Sequence, residues 1–238
     1  MSTGAVDWTA GQPDPEPASA EGLRERKKRL MRKQLSDAAT AMFLERGFDA
    51  VRVSEVAEAC GVSEKTVFNY FPVKEALVMD RLEATLAAVR AGLADAAVSP
   101  VQAALLILDG ELALLTGWLA GQRDASQVRQ AVRRFGDLIR STPALRAYQA
   151  DMMERSVVVA TEVLAARAGM TPDDPEPQIA ARALLGLWRV QADSLRKHLD
   201  QAPTSARLHE LVTADVRRAA RLIDTGLRAF ATTAPLAR

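Results

Sequence analysis

The sequence predicts an all-α protein: an N-terminal three-helix domain built around a helix-turn-helix unit, followed by a helical bundle, with about nine helices in total. Three observations lead to this fold class. Apolar residues recur every three or four positions, and no segment alternates apolar and polar residues as a half-buried strand does. Helix starts are repeatedly marked by a capping residue before proline, a preferred first helical residue. We expect a disordered tail over residues 1–22, the three-helix domain over 23–73 and the bundle over 74–238.

The tail and the first helix differ sharply in composition. Residues 1–22 are rich in Pro, Ala, Ser, Gly and acidic residues, and hold too little apolar surface to offset the entropy lost on ordering. Residues 23–46 carry an apolar stripe at helical spacing, which predicts a helix, and Gly47 should end it. Phe48 should then dock into the three-helix core.

Two short helices joined by a tight turn come next. The first is predicted over residues 55–60, with Ser54 as its cap, because a serine hydroxyl can accept a hydrogen bond from the first turn. Gly61 should end it, since glycine enters left-handed conformations without a steric cost. The small side chain of Ala57 lets the second helix approach closely, as a helix-turn-helix unit requires.

The second short helix is predicted over residues 64–71, with Ser63 as its cap and Pro72 as the residue that stops it. Its outward side chains combine polar groups with two aromatic rings, and the helix is short enough to enter a DNA major groove, which is about 12 Å wide. Lys74 follows, where a cation could bind a phosphate. An ordinary helical hairpin with a polar face is the alternative. The outward residues are Glu64, Lys65, Thr66, Phe68, Asn69 and Tyr70.

Residues 24–80 resemble the N-terminal domain of the TetR family of bacterial transcriptional regulators. The resemblance rests on the stretch AATAMFLERGFDAVRVSEVAEACGVSEKTVFNYFPVKEALV, and especially on Gly61-Val62-Ser63, Tyr70-Phe71-Pro72 and Lys74-Glu75-Ala76-Leu77. It implies a three-helix DNA-binding domain, a variable helical domain that binds a ligand, and a homodimer.

The resemblance also assigns roles by position. Residues on the second short helix would face bases or phosphates, while Ser54 and Lys74 would hold the DNA backbone. Phe68 departs from the family, because many members carry tyrosine there; a stacking or thymine-methyl contact would replace a phenolic contact with phosphate. The DNA-binding residues predicted in this way are Ser54, Ser63, Lys65, Thr66, Phe68, Asn69, Tyr70 and Lys74.

Positive charge is concentrated near the start of the first helix. Residues 24–33 contain seven cations and one anion, whereas the whole chain has a net charge of only +1. The first helix of the family lies along the DNA backbone, so Arg24, Lys28, Arg29 or Arg32 could reach phosphates or the adjacent minor groove. The alternative is a solvated, charged helix end.

The remaining helices are predicted from their caps and stops. A fourth helix over residues 73–97 would connect the DNA-binding domain to the bundle. Five more are expected at residues 100–122, 124–140, 143–168, 175–200 and 205–231.

The last two helices carry apolar faces wide enough to be buried on more than one side. The resemblance places the four-helix bundle of a homodimer here. A two-fold dimer would hold two recognition helices about 34–36 Å apart, which suits a palindromic operator. The core of a monomeric bundle is the alternative.

A ligand pocket in the C-terminal domain is implied by the resemblance alone, and the large apolar content favours a hydrophobic effector. Asp109 and Glu111 lie about 200° apart around one helix, so at least one should point inward, toward Arg182, Arg189 or a cationic ligand. Aromatic and methionine side chains could line the pocket or simply belong to the core. The candidates are Trp118, Phe135, Tyr148, Met152, Trp188 and Gln191.

Other classes of protein find little support. Cys60 is the only cysteine, so no internal disulfide can form, which fits a reducing cytoplasm. Residues 101–120 are long and apolar enough to span a membrane, but two acidic residues near the centre favour a soluble core helix. His198 and His209 have no cluster of Cys or carboxylates at metal-ligand spacing, so we expect neither a metal nor a cofactor.

These features predict a cytoplasmic, ligand-responsive transcriptional regulator that binds a palindromic DNA operator as a homodimer. Repression rather than activation is implied only by the resemblance. The alternatives are an activator, a DNA-binding dimer that answers to a protein or to no ligand, and an all-α enzyme.

Overall fold

The computed structural model describes residues 22–224, and this part of the chain contains nine α-helices, one 3₁₀ helix and no β-strand. The all-α prediction is confirmed. Most of the predicted tail and the predicted end of the last helix lie outside the described residues. The elements are α1 (Leu23–Arg46), α2 (Val53–Ala59), α3 (Glu64–Tyr70), the 3₁₀ helix (Lys74–Leu77), α4 (Arg81–Ala94), α5 (Pro100–Ala120), α6 (Ala125–Ser141), α7 (Pro143–Ala168), α8 (Pro175–His198) and α9 (Ser205–Asp224).

The described residues fall into two compact units. The first contains residues 22–80 and 117–149, and the second contains residues 81–116 and 150–224.

The first unit has its core where α1, α2 and α3 meet. Val56 and Val67 are fully buried, and Ala57 is nearly so, as the close approach of two short helices requires. Phe48 docks against α1 as predicted, with its ring centroid 5.0 Å from that of Phe43. The sequence therefore builds a helix-turn-helix unit on the inner face of α1.

The start of α2 differs from the prediction. The helix begins at Val53, and Ser54 lies exposed in its first turn instead of capping it. The carboxylate of Glu55 reaches back and accepts a hydrogen bond of 2.7 Å from the backbone N–H of Arg52. That bond and a second from the Arg46 side chain lower the pKa of Glu55. The predicted Ser54 cap is therefore wrong, and Glu55 provides a side-chain acceptor at the start of α2 instead.

The end of α2 and the start of α3 follow the prediction. Gly61 adopts a φ of 68°, a left-handed conformation that favours glycine. Ser63 caps α3, because its hydroxyl oxygen accepts a hydrogen bond of 3.1 Å from the backbone N–H of Thr66.

The predicted fourth helix over residues 73–97 is wrong in its first part. The chain instead forms the 3₁₀ helix, and α4 begins only at Arg81 and ends at Ala94. Residues 76–79 are all buried, which a helix packed on one face cannot achieve. The carbonyl of Leu77 accepts a hydrogen bond of 2.8 Å from the hydroxyl of Ser36, which ties this segment to α1.

Two of the caps predicted elsewhere are confirmed by their geometry, whereas Asp174, before Pro175, makes no side-chain bond to α8 and accepts a hydrogen bond of 2.7 Å from the backbone N–H of Thr171 instead. The Ser99 hydroxyl accepts from the backbone N–H of Gln102 at 3.1 Å, at the start of α5. The Asp124 carboxylate accepts hydrogen bonds from two backbone N–H groups of α6, at 3.0 Å each. These bonds lower the pKa of Asp124. Gly169 follows α7 with a φ of 68°.

Helices α8 and α9 dominate the second unit. Residues 199–204 connect them, and the two helices pack against each other along their apolar faces. The buried side chains on these helices include Ala181, Leu184, Leu187, Leu208 and Val212.

Helix α5 is the one helix in residues 22–224 that is long and apolar enough to cross a membrane, by length and composition alone. The core helix of a soluble protein meets the same criteria. Glu111, near its middle, lies half-buried and accepts hydrogen bonds within the second unit, which fits a core helix.

Candidate nucleic-acid interface

The outward face of α3 is formed by residues opposite its buried anchor. Val67 is fully buried, and at 100° per residue Lys65 and Asn69 lie on the far side of the helix, one turn apart. Both are exposed, and neither side chain bonds to another residue within the described range 22–224. Phe68, between these faces, has 44% of its surface exposed. The fold therefore leaves a donor, an amide and an aromatic ring available to a partner.

Three other predicted residues, in α3 or at its cap, are partly used within the fold. Ser63 is the helix cap, and its hydroxyl also lies 2.8 Å from that of Thr66. Tyr70 is half-buried, and its carbonyl accepts a hydrogen bond from the side chain of Arg32. We retain all three as predicted DNA-binding residues, with the cap as the role of Ser63 that the geometry establishes.

The predicted contacts on α1 and α2 lie at the surface to different degrees. Arg24 and Lys28 are exposed in the first two turns of α1, whereas Arg29 is half-buried. Ser54 is exposed in the first turn of α2, where a hydroxyl can donate to a phosphate.

Lys74 is held by the protein itself. Its Nζ donates a hydrogen bond of 2.6 Å to the carbonyl of Phe48 and lies 4.3 Å from the centroid of the Phe48 ring and 5.4 Å from that of Phe43. A cation over two aromatic faces is attracted by their negative π-surfaces. Lys74 therefore fixes the segment that follows α1, and its contact with phosphate stays a prediction.

The predicted effector residues divide between the two units. In the first unit Trp118 is buried, while Phe135 and Tyr148 are half-buried. In the second unit Met152 is buried on α7, while Trp188 and Gln191 are half-buried on α8. Their contact with an effector stays a prediction.

The acidic residues of α5 have other partners than those predicted. Glu111 accepts hydrogen bonds from the indole N–H of Trp188, at 3.0 Å, and from the hydroxyl of Thr85. Asp109 lies 3.0 Å from a ring nitrogen of His209. The expected pairing with Arg182 or Arg189 is wrong, because these arginines pair with Glu154 and Asp193 at the surface.

A groove of about 220 Å³ lies between α5, α8 and α9 in the second unit. Gln191 forms part of it, and its side-chain amide donates a hydrogen bond of 2.7 Å to the carbonyl of Leu108. Thr213 also lines it, and its hydroxyl is buried without a hydrogen-bond partner among the described residues. The remaining lining residues are Gln102, Leu105, Leu106, Leu108, Asp109, Val216 and Arg217.

Each histidine meets an aspartate that is distant from it in sequence. His209 lies between Asp109 and Thr116, with the hydroxyl of Thr116 3.2 Å from its other ring nitrogen. The Thr116 hydroxyl also donates to the Leu112 carbonyl at 2.9 Å, so it is committed to its own helix. This arrangement therefore differs from a nucleophile activated by histidine.

The second histidine cluster joins α8 to α9. The carboxylate of Asp215 accepts from the hydroxyl of Ser194 at 2.8 Å and lies 3.1 Å from His198 Nε2. Ser194 bonds to the carboxylate and not to the imidazole, so this arrangement also differs from a nucleophile activated by histidine. Within residues 22–224, no group of three or more His, Cys, Asp or Glu side chains could hold a metal ion.

Comparison with known proteins gives matches over both parts of the chain. Residues 35–80 match the model described as bacterial regulatory proteins, tetR family, and residues 120–227 match the model of the MftR C-terminal domain. The chain is 31% identical over 217 residues to the HTH-type transcriptional regulator TcmR of Streptomyces glaucescens, a match that covers 83% of this chain and 91% of that protein.

Two further matches are more distant or shorter. The chain is 30% identical over 153 residues to MftR of Mycobacterium tuberculosis, a proposed regulator of mycofactocin biosynthesis. That match covers 64% of this chain and 73% of that protein. The crystal structure of a tetR-family transcriptional regulator from Streptomyces coelicolor covers 85% of this chain and 87% of that chain, with 19% identity and a TM-score of 0.39.

Proposed function

Because this chain belongs to the TetR family of bacterial regulatory proteins and is a DNA-binding regulator of transcription, we propose that it is a cytoplasmic repressor. It binds a palindromic operator as a homodimer and is released by a small, hydrophobic effector. Residues 23–73 form the DNA-binding domain, and residues 74–238 form the domain for effector binding and dimerisation.

The observation that carries this proposal is the exposed outward face of α3. Lys65 and Asn69 stand one turn apart, opposite the fully buried Val67. Lysine and asparagine side chains are among those that recognise guanine and adenine through hydrogen bonds in the major groove. A polar helix face without internal partners is the arrangement that base reading requires.

Dimerisation is supported by apolar side chains that a single chain leaves in solvent. Ile179 on α8 and Leu222 on α9 have 66% and 86% of their surfaces exposed. Large apolar groups gain roughly 1.5–3 kcal/mol each when they are fully buried, so a second copy that covers both would be stabilised. Both residues belong to the two helices that we propose as the dimer interface.

The groove between α5, α8 and α9 supports effector binding in the second unit. Its leucine and valine side chains suit an apolar body, while the unpartnered hydroxyl of Thr213 offers one hydrogen bond. A buried hydroxyl left unpaired costs about 1–3 kcal/mol, and a ligand that completes its bond would recover part of that cost.

Selection from a random duplex library tests the repressor's DNA recognition. We expect the purified protein to enrich a palindrome whose half-sites are about one helical turn apart, as a two-fold dimer requires. Asn69→Ala should enrich a more degenerate half-site, while Glu83→Ala, at an exposed acid on α4, should enrich the same palindrome as the wild type. Failure of the wild type to enrich any sequence would remove the proposal.

Analytical ultracentrifugation tests the dimer. Leu222→Glu should shift the protein toward a monomer, because the buried interface would contain an unpaired charge. Leu114→Glu, at an exposed leucine of α5, should leave the dimer intact. A wild-type protein that sediments as a monomer at the concentration that binds DNA would contradict the dimer and leave DNA binding standing.

A thermal-shift screen of small hydrophobic compounds tests the effector site, since a ligand that binds the native state raises the melting temperature. Thr213→Val removes the unpaired hydroxyl and should stabilise the free protein while reducing the shift produced by a bound compound. Thr161→Val is the matched control, because the Thr161 hydroxyl already donates to the Val157 carbonyl at 2.8 Å. Equal ligand shifts in wild type and Thr213→Val would exclude this hydroxyl from the site.

A further inference from the structure

We propose that Arg32 is a positioning residue for DNA recognition: it holds the C-terminal end of α3, and Asp80 holds Arg32. The Arg32 Nη1 donates a hydrogen bond of 3.0 Å to the carbonyl of Tyr70, the last residue of α3. Its Nε donates to the Asp80 carboxylate at 2.5 Å. Its guanidinium carbon lies 4.7 Å from the centroid of the Phe71 ring. The inference rests on the proposed reading of DNA by α3.

The end of α3 is a favourable place for a cation. The last carbonyls of a helix have no partner within the helix, and they give its C-terminus a partial negative charge. Helix α3 has only seven residues, too few for a stable isolated helix, so its position depends on contacts from outside. A hydrogen bond from a charged donor is about twice as strong as a neutral one. Arg32 therefore supplies an anchor that α3 lacks by itself.

Asp80 determines the direction in which the guanidinium points. The guanidinium is planar and rigid, so a bond at Nε fixes the orientation of Nη1 toward Tyr70. A lysine at this position could satisfy the carbonyl or the carboxylate, but it has no second fixed donor. The side chains of Arg32 and Asp80 are 29% and 30% exposed, so water screens the pair only in part.

Arg32 is more buried than several other cations of residues 24–33, the cation-rich start of α1. Arg24 and Lys28 are exposed, whereas Arg32 is half-buried and directs its donors at Tyr70 and Asp80. Residues 24–33 thus contain cations open to solvent, such as Arg24 and Lys28, and Arg32, whose donors are used inside the domain.

The sign of the effect at Asp80 separates positioning from simple electrostatics. Removing an acid from a DNA-binding domain reduces repulsion of phosphates, so electrostatics alone predicts equal or tighter binding. If Asp80 positions Arg32, Asp80→Ala weakens binding instead, by about tenfold, the factor that corresponds to loss of one charged hydrogen bond. Glu58→Ala, at an exposed acid of α2, is the matched control for the loss of charge.

The test measures two quantities for wild type, Asp80→Ala, Arg32→Lys and Glu58→Ala. Fluorescence anisotropy with the selected operator gives affinity at several salt concentrations. Hydrogen exchange of α3 in the DNA-free protein gives the opening of the helix, including the Phe71 N–H, which donates to Val67 at 2.9 Å. We expect weaker binding with an unchanged salt slope and about tenfold faster exchange in Asp80→Ala and Arg32→Lys, but not in Glu58→Ala.

Binding by Asp80→Ala as tight as by Glu58→Ala, together with wild-type exchange in α3, would overturn the positioning role. Arg32→Lys keeps the charge and supplies the same comparison if Asp80→Ala does not fold. A wild-type protein that binds no duplex would contradict the proposed function instead, and the exchange measurement would still show whether Arg32 and Asp80 hold α3.

Discussion

The polar side chains of α3 and those between α8 and α9 are placed in opposite ways. On α3, Lys65 and Asn69 point into solvent and bond to no other residue within the described range. Between α8 and α9, Ser194 and His198 are buried and both meet the carboxylate of Asp215. Polar groups that complete their hydrogen bonds internally hold helices together. Groups left in solvent contribute little to the fold and are available to a partner.

The pKa of Asp215 is shifted by its internal hydrogen bonds. The hydroxyl of Ser194 makes the largest contribution, with His198 and Arg218 adding to it, and together they lower the pKa of Asp215 to about 2 against the opposing effect of burial. The second unit therefore keeps a charged carboxylate between two of its longest helices, supplied with donors from both.

The largest expected effect is at this carboxylate. Asp215→Ala should lower the free energy of unfolding by about 3 kcal/mol, because it leaves the buried Ser194 hydroxyl and the His198 imidazole without their acceptor. Urea unfolding at pH 7 measures it. Asp151→Ala, which removes an exposed ion pair with Arg155 on α7, should cost less than about 0.5 kcal/mol. Equal losses of unfolding free energy in the two variants would show that the contacts of Asp215 with Ser194 and His198 do not stabilise the fold.

Acid should weaken the same contact in a defined range of pH. Because the pKa of Asp215 falls from 3.8 to about 2 on folding, its stabilising effect is complete above about pH 4 and is lost as the pH falls through 2. Free energies of unfolding at pH 5, 3 and 2 should therefore converge between wild type and Asp215→Asn. A constant difference between the two proteins across this range would contradict the lowered pKa.

Lys74 lies between the two extremes, since it belongs to the DNA-binding unit but makes internal contacts. Lys74→Met should cost about 2 kcal/mol of stability, from the charged hydrogen bond to Phe48 and the cation–π contacts. Lys65→Met, at an exposed lysine of α3, should cost less than about 0.5 kcal/mol. Unfolding in urea distinguishes them.

A phosphate contact by Lys74 would appear separately in DNA binding. The variant would then bind all sequences more weakly and reduce the slope of log affinity against log salt by about one unit. A loss of affinity confined to the selected operator would argue against that contact.

The smallest effect on stability is expected for Asn69→Ala, within about 0.5 kcal/mol, because its amide bonds to no described residue. Its effect on recognition should be larger: discrimination at individual base pairs should fall by about 1–3 kcal/mol. Binding to single-substitution variants of the selected operator measures this. An unchanged preference at every position would remove Asn69 from the base-reading set.

Local chemistry made most of the fold predictable. Gly47, Gly61 and Gly169 end helices at the expected places, and Ser63, Ser99 and Asp124 accept the hydrogen bonds expected of caps. Each of these caps and stops depends on residues no more than four positions apart, so the amino-acid sequence alone indicates them. The outward face of α3 was predictable in the same way, since its periodicity around Val67 is local.

Contacts between distant residues were not predictable. Nothing local favours His209 over Arg182 or Arg189 as the partner of an acid on α5, and His209 is 100 residues away from Asp109. The break before α4 was missed for a similar reason, because a donor from α1, Ser36, satisfies the Leu77 carbonyl. The role of Arg32 also depends on Asp80, 48 residues away.

The most direct test of base reading by α3 is the ratio of affinities for the selected operator and a scrambled duplex of equal length, measured by competition anisotropy in wild type and in a Lys65→Ala, Asn69→Ala double variant. We predict that the ratio falls by at least tenfold in the double variant while its unfolding free energy stays within about 1 kcal/mol of wild type. An unchanged ratio in a stably folded double variant would show that the exposed face of α3 does not read DNA.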